Sequence, residues 1–251
     1  MGKDDPITEG TIRELHKILV RGVRGGQVDP GNYRKIQNYV VNSRTKEVIY
    51  TPPPPLDVPH LMREFVQWID SDRDTSPILR AGIAQFQFVH IHPFIDGNGR
   101  TARLLSTLVL YKTGYDFKRL FTISEYYDKD RPAYYQAIQS VRNSNMVMTG
   151  WLEYFTEGLR SQMEEIQQKG KELIKQDATF QKIKRVGLNT RQEKAVKHLL
   201  RNAAISVNEY QSVVSCIRRT AQRDLEDLAA KKVIKVVAKS PTDPTKHYVL
   251  L

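Results

Sequence analysis

The sequence predicts a mainly α-helical protein with one β-hairpin in its first quarter and a small basic module at its C-terminal end. Three observations carry this expectation. Apolar residues recur at helical spacing through most of the chain, one short stretch changes to β-favouring residues around a polar turn, and the charge balance shifts late in the chain. The 251 residues, 40% hydrophobic and 27% charged, suffice for one large domain or a core domain with an accessory one. The formal net charge is +11, and residues 181–251 hold 15 Lys and Arg against 6 Asp and Glu, whereas residues 1–180 hold 24 against 22. A basic surplus confined to one segment points to a polyanionic partner for that segment rather than to general solubility.

The first helix is expected over Ile12–Gly22, with Ile12, Leu15, Leu19 and Val20 on one stripe behind the Thr8/Thr11 start region, and a glycine-rich stop at 21–26. Residues Asn38 to Tyr50 form two β-favouring runs around Asn42–Lys46, which reads as a hairpin, and Pro52 to Pro55 end it because proline offers no ladder donor. Helical spacing returns from Val58 (Leu61, Met62, Phe65, Val66, Trp68, Ile69) and again from Pro77 to His90 (Ile78, Leu79, Ile83, Phe86, Val89). Further helices are expected over 103–112, 131–142 and 149–173. The Gln/Lys/Glu-rich, thinly apolar stretch 162–185 reads as a solvated helix leading to a boundary near Gly187. The expected division is 1–160, a helical linker 161–187, and 188–251.

No apolar run approaches the roughly 18 residues of a membrane helix, so no integral membrane protein is expected. The N-terminal residues Met1 to Pro6 have no apolar stretch behind them and do not resemble a signal peptide. Cys216 is the only cysteine, which excludes intrachain disulfides and cysteine-built zinc sites and makes a reducing cytoplasm the expected location.

The densest group of chemically useful residues is His92-Pro93-Phe94-Ile95-Asp96-Gly97-Asn98-Gly99-Arg100-Thr101-Ala102-Arg103, in a loop that opens a helix near Asn98. A helix N-terminus presents unpaired N–H groups and partial positive charge, and Gly97 and Gly99 let an anion approach the backbone closely. Arg100 and Arg103 share a helix face and suit successive phosphates. Asp96 offers a hard oxygen for Mg²⁺ beside phosphates, and His92 is the side chain whose ordinary pKa suits proton abstraction. The parts fit phosphoryl or nucleotidyl transfer. Two plainer readings stand beside this one: His90 and His92 as packing residues, and His90, His92 and Asp96 as a metal site, which the neighbouring arginines oppose.

The string resembles the Fic family signature His-x-Phe-x-(Asp/Glu)-Gly-Asn-Gly-Arg-x-x-Arg at every specified position. Leu15-His16, Asn32-Tyr33-Arg34, the hairpin before Pro52-Pro53, and Tyr134-Tyr135 extend the likeness over roughly residues 8–160. The resemblance implies a Fic fold, a helical bundle with a β-hairpin flap, and a protein adenylyltransferase using ATP and Mg²⁺. In that implied scheme His92 deprotonates a Tyr, Thr or Ser hydroxyl of a target protein, which attacks the α-phosphate of ATP. Asp96 holds Mg²⁺, and the Gly97, Asn98 and Gly99 backbone with the Asn98 side chain cradles the α- and β-phosphates. Arg100 and Arg103 meet the β- and γ-phosphates, Thr101 and Ala102 complete the nucleotide segment, and Phe94 anchors the loop. Tyr134 and Tyr135 lie near the adenine or in the core, and Glu47, Val48, Ile49 and Tyr50 form the flap edge that docks the target. Gly97 stands where the Doc-like phosphorylating branch has lysine, which favours AMP transfer.

Control is less complete. The family's inhibitory pattern (Ser/Thr)-x-x-x-Glu-(Gly/Asn) is approached by Glu9-Gly10, but Asp5 stands four residues earlier; Ser161 to Glu165 has the spacing but is followed by Ile166. The expectation is an unrestrained, self-modifying chain whose inhibition would come from a separate partner or an upstream helix. AMP removal, transfer of another nucleotide or phosphate-bearing group, and a DNA-binding regulator that senses nucleotide are the alternatives. A homodimer is also open.

From Thr190 three short helices (Val196, Leu199 and Leu200; Tyr210, Val213 and Val214; 218–228) precede strand-like runs 233–238 and 247–250, which together make a winged helix-turn-helix. Its Arg218-to-Leu228 stretch resembles the recognition helix of DeoR-like winged helices, so Arg218, Arg219, Thr220, Gln222 and Arg223 are candidates for DNA contact. Protein docking is the alternative use, and Asp224, Glu226 and Asp227 put negative charge in the same helix.

Overall fold

The computed structural model describes residues 5–22, 29–42, 45–115, 123–240, 243 and 245–251. The chain divides into two compact units, Met1–Ile166 and Gln167–Leu251. Parts of three expected turns, at 23–26, 43–44 and within 240–244, lie outside the described residues.

Helix α1 (Glu9–Val20) starts at Thr8, whose side chain accepts from the Thr11 N–H, and buries Ile12, His16 and Val20. Two short strands, β1 (Val40–Val41) and β2 (Val48–Tyr50), pair antiparallel as expected, with a register shift between Val40 and Val41. Helix α2 (Val58–Ser71) buries Val58, Met62, Phe65 and Ile69. Helix α3 (Pro77–Ile91) is capped by Ser76 and is buried on several sides: Ala81, Gly82, Ala84, Phe86 and Phe88 all face protein. Small residues make that possible. A Cβ on Gly82 would stand 2.9 Å from both Leu152 and Phe155, and the Gly82 carbonyl accepts from the buried Trp151 indole at 2.8 Å.

Helix α4 (Asn98–Lys112) begins five residues before the apolar stripe at 103–112 suggests, because its first turn belongs to the glycine loop. Helix α5 (Ile123–Lys129), seven residues long, is too short to show a helical period and was not anticipated. Helix α6 (Arg131–Asn143) is capped by Asp130. Helix α7 (Thr149–Lys184) merges the two expected helical stretches into one, and the division between units falls within it.

In the second unit, α8 (Thr190–Arg201) and α9 (Val207–Val214) each open on a reciprocal capping box, Asn189 with Gln192 and Ser206 with Glu209. Helix α10 (Arg218–Ala230) precedes β3 (Ile234–Val237) and β4 (His247–Leu250), which pair antiparallel from Ile234–Leu250 to Val237–His247. Ile205 bridges Tyr248, so a third segment joins the hairpin. Val196, Leu199, Ile205, Tyr210, Leu225, Leu228 and Ile234 form the core.

Among the described residues two polar side chains are buried in that unit, Gln192 and Asp224. Asp224 of α10 is 4% exposed and accepts from Arg191 Nε at 2.7 Å, Arg191 Nη2 at 3.0 Å and the Tyr210 hydroxyl at 3.0 Å. Burial pushes its carboxyl up, but the bonds from Arg191 and Tyr210 outweigh that and hold it below the usual carboxylate range. Its stability contribution is therefore present above the ordinary carboxylate pKa of about 4 and is lost as pH falls through the depressed folded value. Asp224→Ala should destabilise the second unit by about 2 kcal/mol, below the 3–5 of a fully buried pair because Arg191 remains partly exposed. Hydrogen exchange at amides 188–251 of the whole chain measures it. Exchange unchanged from wild type at pH 7 would refute the assignment.

Candidate active site

The chain reverses direction between α3 and α4, and the candidate residues lie on that reversal. His92 caps α3 in the left-handed region (φ 53°, ψ 56°), which residues bearing a Cβ rarely adopt. Its partners hold it there. The His92 N–H donates to Phe88 O at 3.0 Å, Arg34 Nε donates to His92 O at 2.9 Å, and the Arg34 N–H donates to Pro93 O at 2.9 Å. Arg34, 3% exposed, also donates through Nη2 to Pro53 O at 2.5 Å, so one guanidinium spans the loop and the segment after β2.

Phe94 is fully buried, and the His16 ring stacks on it at 3.7 Å with planes 9° apart. The Phe94 N–H donates to Asn98 Oδ1 at 2.9 Å, while Asn98 Nδ2 donates to Phe94 O at 2.7 Å; Asn38 Nδ2 reaches the same carbonyl at 2.9 Å. Gly31 N–H donates to His16 Nδ1 at 2.9 Å, so Nε2 carries the proton and donates to Asp96 O at 2.9 Å. Burial lowers the His16 pKa and keeps this brace neutral. Gly97 follows with φ 79°, and a Cβ there would stand 2.8 Å from Val20 Cγ1 and 3.2 Å from the His16 ring. Glycine is required twice over, for the backbone angle and for the space.

Beyond Gly97 the first-turn N–H groups of α4 have no intrahelical acceptor. Asp96 is half exposed and pairs with Arg100 Nη2 at 3.3 Å, and Arg100 Nη1 reaches Leu19 O at 3.4 Å. Arg103 Nε donates to Ser124 Oγ at 2.8 Å. Both arginines line one cavity of about 260 Å³ with Leu19, Leu104, Thr107 and Ile123. That arrangement is a cationic recess beside a helix N-terminus, suited to an oligophosphate.

His92 is half-buried, and its pKa is pushed down to about 4 by burial first and then by Arg34 and Arg142; the Val89 carbonyl and Asp96 oppose the shift. Its Nδ1 is buried and makes no hydrogen bond of good geometry. The imidazole is thus neutral near pH 7, the form a proton acceptor needs. A single hard carboxylate beside a phosphate recess fits Mg²⁺ completed by substrate oxygens. A metal site from His90, His92 and Asp96 is not formed: His90 Nδ1 is bonded to the Tyr50 hydroxyl at 2.9 Å, and among the described residues no group of three or more His, Cys, Asp or Glu could hold a metal.

The remaining candidates separate by place. The Asn98 amide bonds both the N–H and the carbonyl of Phe94, so its side chain holds the loop. Thr101 Oγ1 donates to Gly97 O at 3.0 Å and Ala102 is fully buried, so both support the loop from beneath. Tyr134 is in the core, stacked on Tyr127 at 4.3 Å, whereas Tyr135 is more than half exposed. Val48 and Ile49 are exposed at the hairpin edge, Glu47 accepts from the Thr45 hydroxyl at 2.9 Å, and Tyr50 turns inward. Glu9 accepts from the Tyr33 hydroxyl at 2.9 Å, whereas Arg103 is bonded to Ser124. The sequence assigns no function to Asn38, Ser124 or Arg142, and His16 and Arg34 enter it only within the stretches Leu15-His16 and Asn32-Tyr33-Arg34. His16 also has a local signal, as a polar residue on the Ile12–His16–Val20 inner stripe.

The fold of the first unit and this loop are similar to those of Fic/DOC proteins. Residues 6–110 match the Fic/DOC family model. The chain is 41% identical over 114 residues to the protein adenylyltransferase Fic of Drosophila grimshawi, covering 43% of this chain and 21% of that protein. The match thus spans about a fifth of the length of that curated relative. A Fic family protein from Desulfovibrio desulfuricans G20 shares the fold at TM-score 0.60 and 23% identity, covering 97% of this chain and 69% of that one. A Fic domain-containing signaling protein from Bacteroides thetaiotaomicron shares it at TM-score 0.52 and 27% identity, over 64% of this chain and 62% of that one.

Gly97→Ala should cost about 1–3 kcal/mol of stability from the left-handed angle alone. Denaturant titration measures it, and a wild-type value would show that the loop tolerates a Cβ.

Proposed function

We propose that the chain is a protein adenylyltransferase that transfers AMP from ATP to a hydroxyl side chain of a target protein. The observation that carries this reading is a neutral, half-buried His92 fixed at one end of a loop whose other end opens α4 beside Arg100 and Arg103. The similarity of residues 6–110 to the Fic/DOC family and to a protein adenylyltransferase supports it. His92 takes the proton of the target hydroxyl as its oxygen forms a bond to the α-phosphorus of ATP. The bond to the β-phosphate bridging oxygen breaks and pyrophosphate leaves. Asp96 would hold Mg²⁺, which when bound neutralises phosphate charge. Arg100 and Arg103 receive the charge on the leaving phosphates, and the exposed β2 edge offers strand pairing to the target segment. In the absence of a target, the chain's own hydroxyls are acceptors.

His92→Ala should lower AMP incorporation by about 10²- to 10⁴-fold while MgATP affinity is retained. Intact mass after incubation with MgATP, alone and with cell lysate, reads the first, and calorimetry the second. Incorporation that survives the substitution would overturn the role of His92.

The second unit is read as a winged helix-turn-helix that binds duplex DNA through α10. One observation favours this over the acidic character of the helix: Asp224 is buried, and Asp227 is bonded to Gln192 and Lys231, both at 2.7 Å. Arg218, Arg219, Gln222 and Arg223 stay exposed. No helix among the described residues is long and apolar enough to cross a membrane, and with a single cysteine the cytoplasm suits the chain. Replacing Arg218 and Arg219 by Ala should weaken duplex binding and reduce the slope of log affinity against log salt by about 2, one per lost phosphate contact. Fluorescence anisotropy over a salt series measures it, and an unchanged slope would leave α10 to a protein partner.

A further inference from the structure

Behind His92 lies a cluster that the transfer reaction does not use directly. Tyr50, the last residue of β2, donates its hydroxyl to His90 O at 2.8 Å and lies 2.9 Å from His90 Nδ1. The Arg142 guanidinium of α6 sits over the Tyr50 ring, 3.4 Å from its centroid. Arg142 Nη1 donates to Gln139, but Nε and Nη2 are buried without a hydrogen-bond partner. Among the described residues no carboxylate is within ion-pairing distance of it. A desolvated cation without a counter-ion is costly, and the face of one aromatic ring returns only part of that cost.

We propose that Tyr50, His90 and Arg142 form a positioning set for His92, locking the last residue of the docking strand to the helix end that carries the base and facing that base with a fixed positive charge. This rests on the reading of His92 as the base. Two ties join the strand to the histidine: Tyr50 to His90 on one side, and Arg34 from Pro53 to His92 O on the other. A target segment pairing with β2 is thereby placed relative to the imidazole by rigid contacts. The charged and titratable groups around His92 are Arg34 from the loop before β1, Asp96 from its own loop and Arg142 from α6, with His90 and Tyr50 adjoining. Arg142 disfavours the imidazolium, so removing its charge should raise the His92 pKa, and keeping the charge should not.

The test is an NMR titration of the histidine imidazoles in the ligand-free full chain, assigned with His92→Ala. Arg142→Met should move the His92 midpoint up measurably, and Arg142→Lys should leave it near the wild-type value. Tyr50→Phe, which keeps the ring and removes the hydroxyl, should speed amide exchange in residues 40–50 by about tenfold and shift the His90 and His92 resonances together. A His92 midpoint that Arg142→Met leaves unchanged would overturn the electrostatic role. Exchange and resonances unaltered in Tyr50→Phe would overturn the tie. Neither readout needs AMP transfer, so a failure of the transferase reading would appear separately, as incorporation independent of His92.

Discussion

The first unit depends on a backbone reversal that two left-handed residues make possible, His92 at its start and Gly97 near its end. Glycine adopts that conformation freely, but a histidine there stores roughly 1–3 kcal/mol. Arg34 offsets the cost by donating to the His92 and Pro93 carbonyls, and Asn98 and Asn38 hold Phe94 in the core. The imidazole is consequently aimed by the main chain and by packing. Among the described residues no carboxylate is bonded to its Nδ1, which is buried without a hydrogen bond of good geometry.

Two ion pairs in the molecule show how environment decides role. Asp96 and Arg100 meet at 3.3 Å with side chains 52% and 35% exposed, so their pair is worth little, of the order of 0–1 kcal/mol. Such a pair can exchange partners at small cost. Asp224 is instead almost fully desolvated and held by Arg191 and Tyr210 together. That carboxylate orients α10 and is unavailable to oppose an anion. Similar residue types are loosely paired in the first unit and fixed in the second.

Much of this was readable in the chain. The helices over α1, α2, α3 and α6 follow from apolar spacing, and the hairpin from two β-favouring runs and the prolines after them. The loop was conspicuous because twelve consecutive residues concentrate glycine, arginine, aspartate and histidine. What escaped notice has a common cause. Helix α5 is too short for a period, and Asn38 and Arg142 are single polar residues in segments whose local composition is ordinary. The inner-face positions of Thr101 and Ala102 were also invisible, since a helix in a linear string does not show which of its sides a neighbouring element covers.

The sequence by itself determined the element types, the presence of a loop rich in glycine and arginine, and the concentration of basic charge in residues 181–251. Those properties rest on local propensity, spacing and composition, which are written along the chain. Only the tertiary structure decided that the Asn98 amide serves Phe94, that His16 braces Asp96 from 80 residues away, and that Asp224 faces inward. It also decided that His92 is neutral with two cations nearby. Hydrogen-bond partners and desolvation depend on which distant segments share a volume, and that is settled when the core packs.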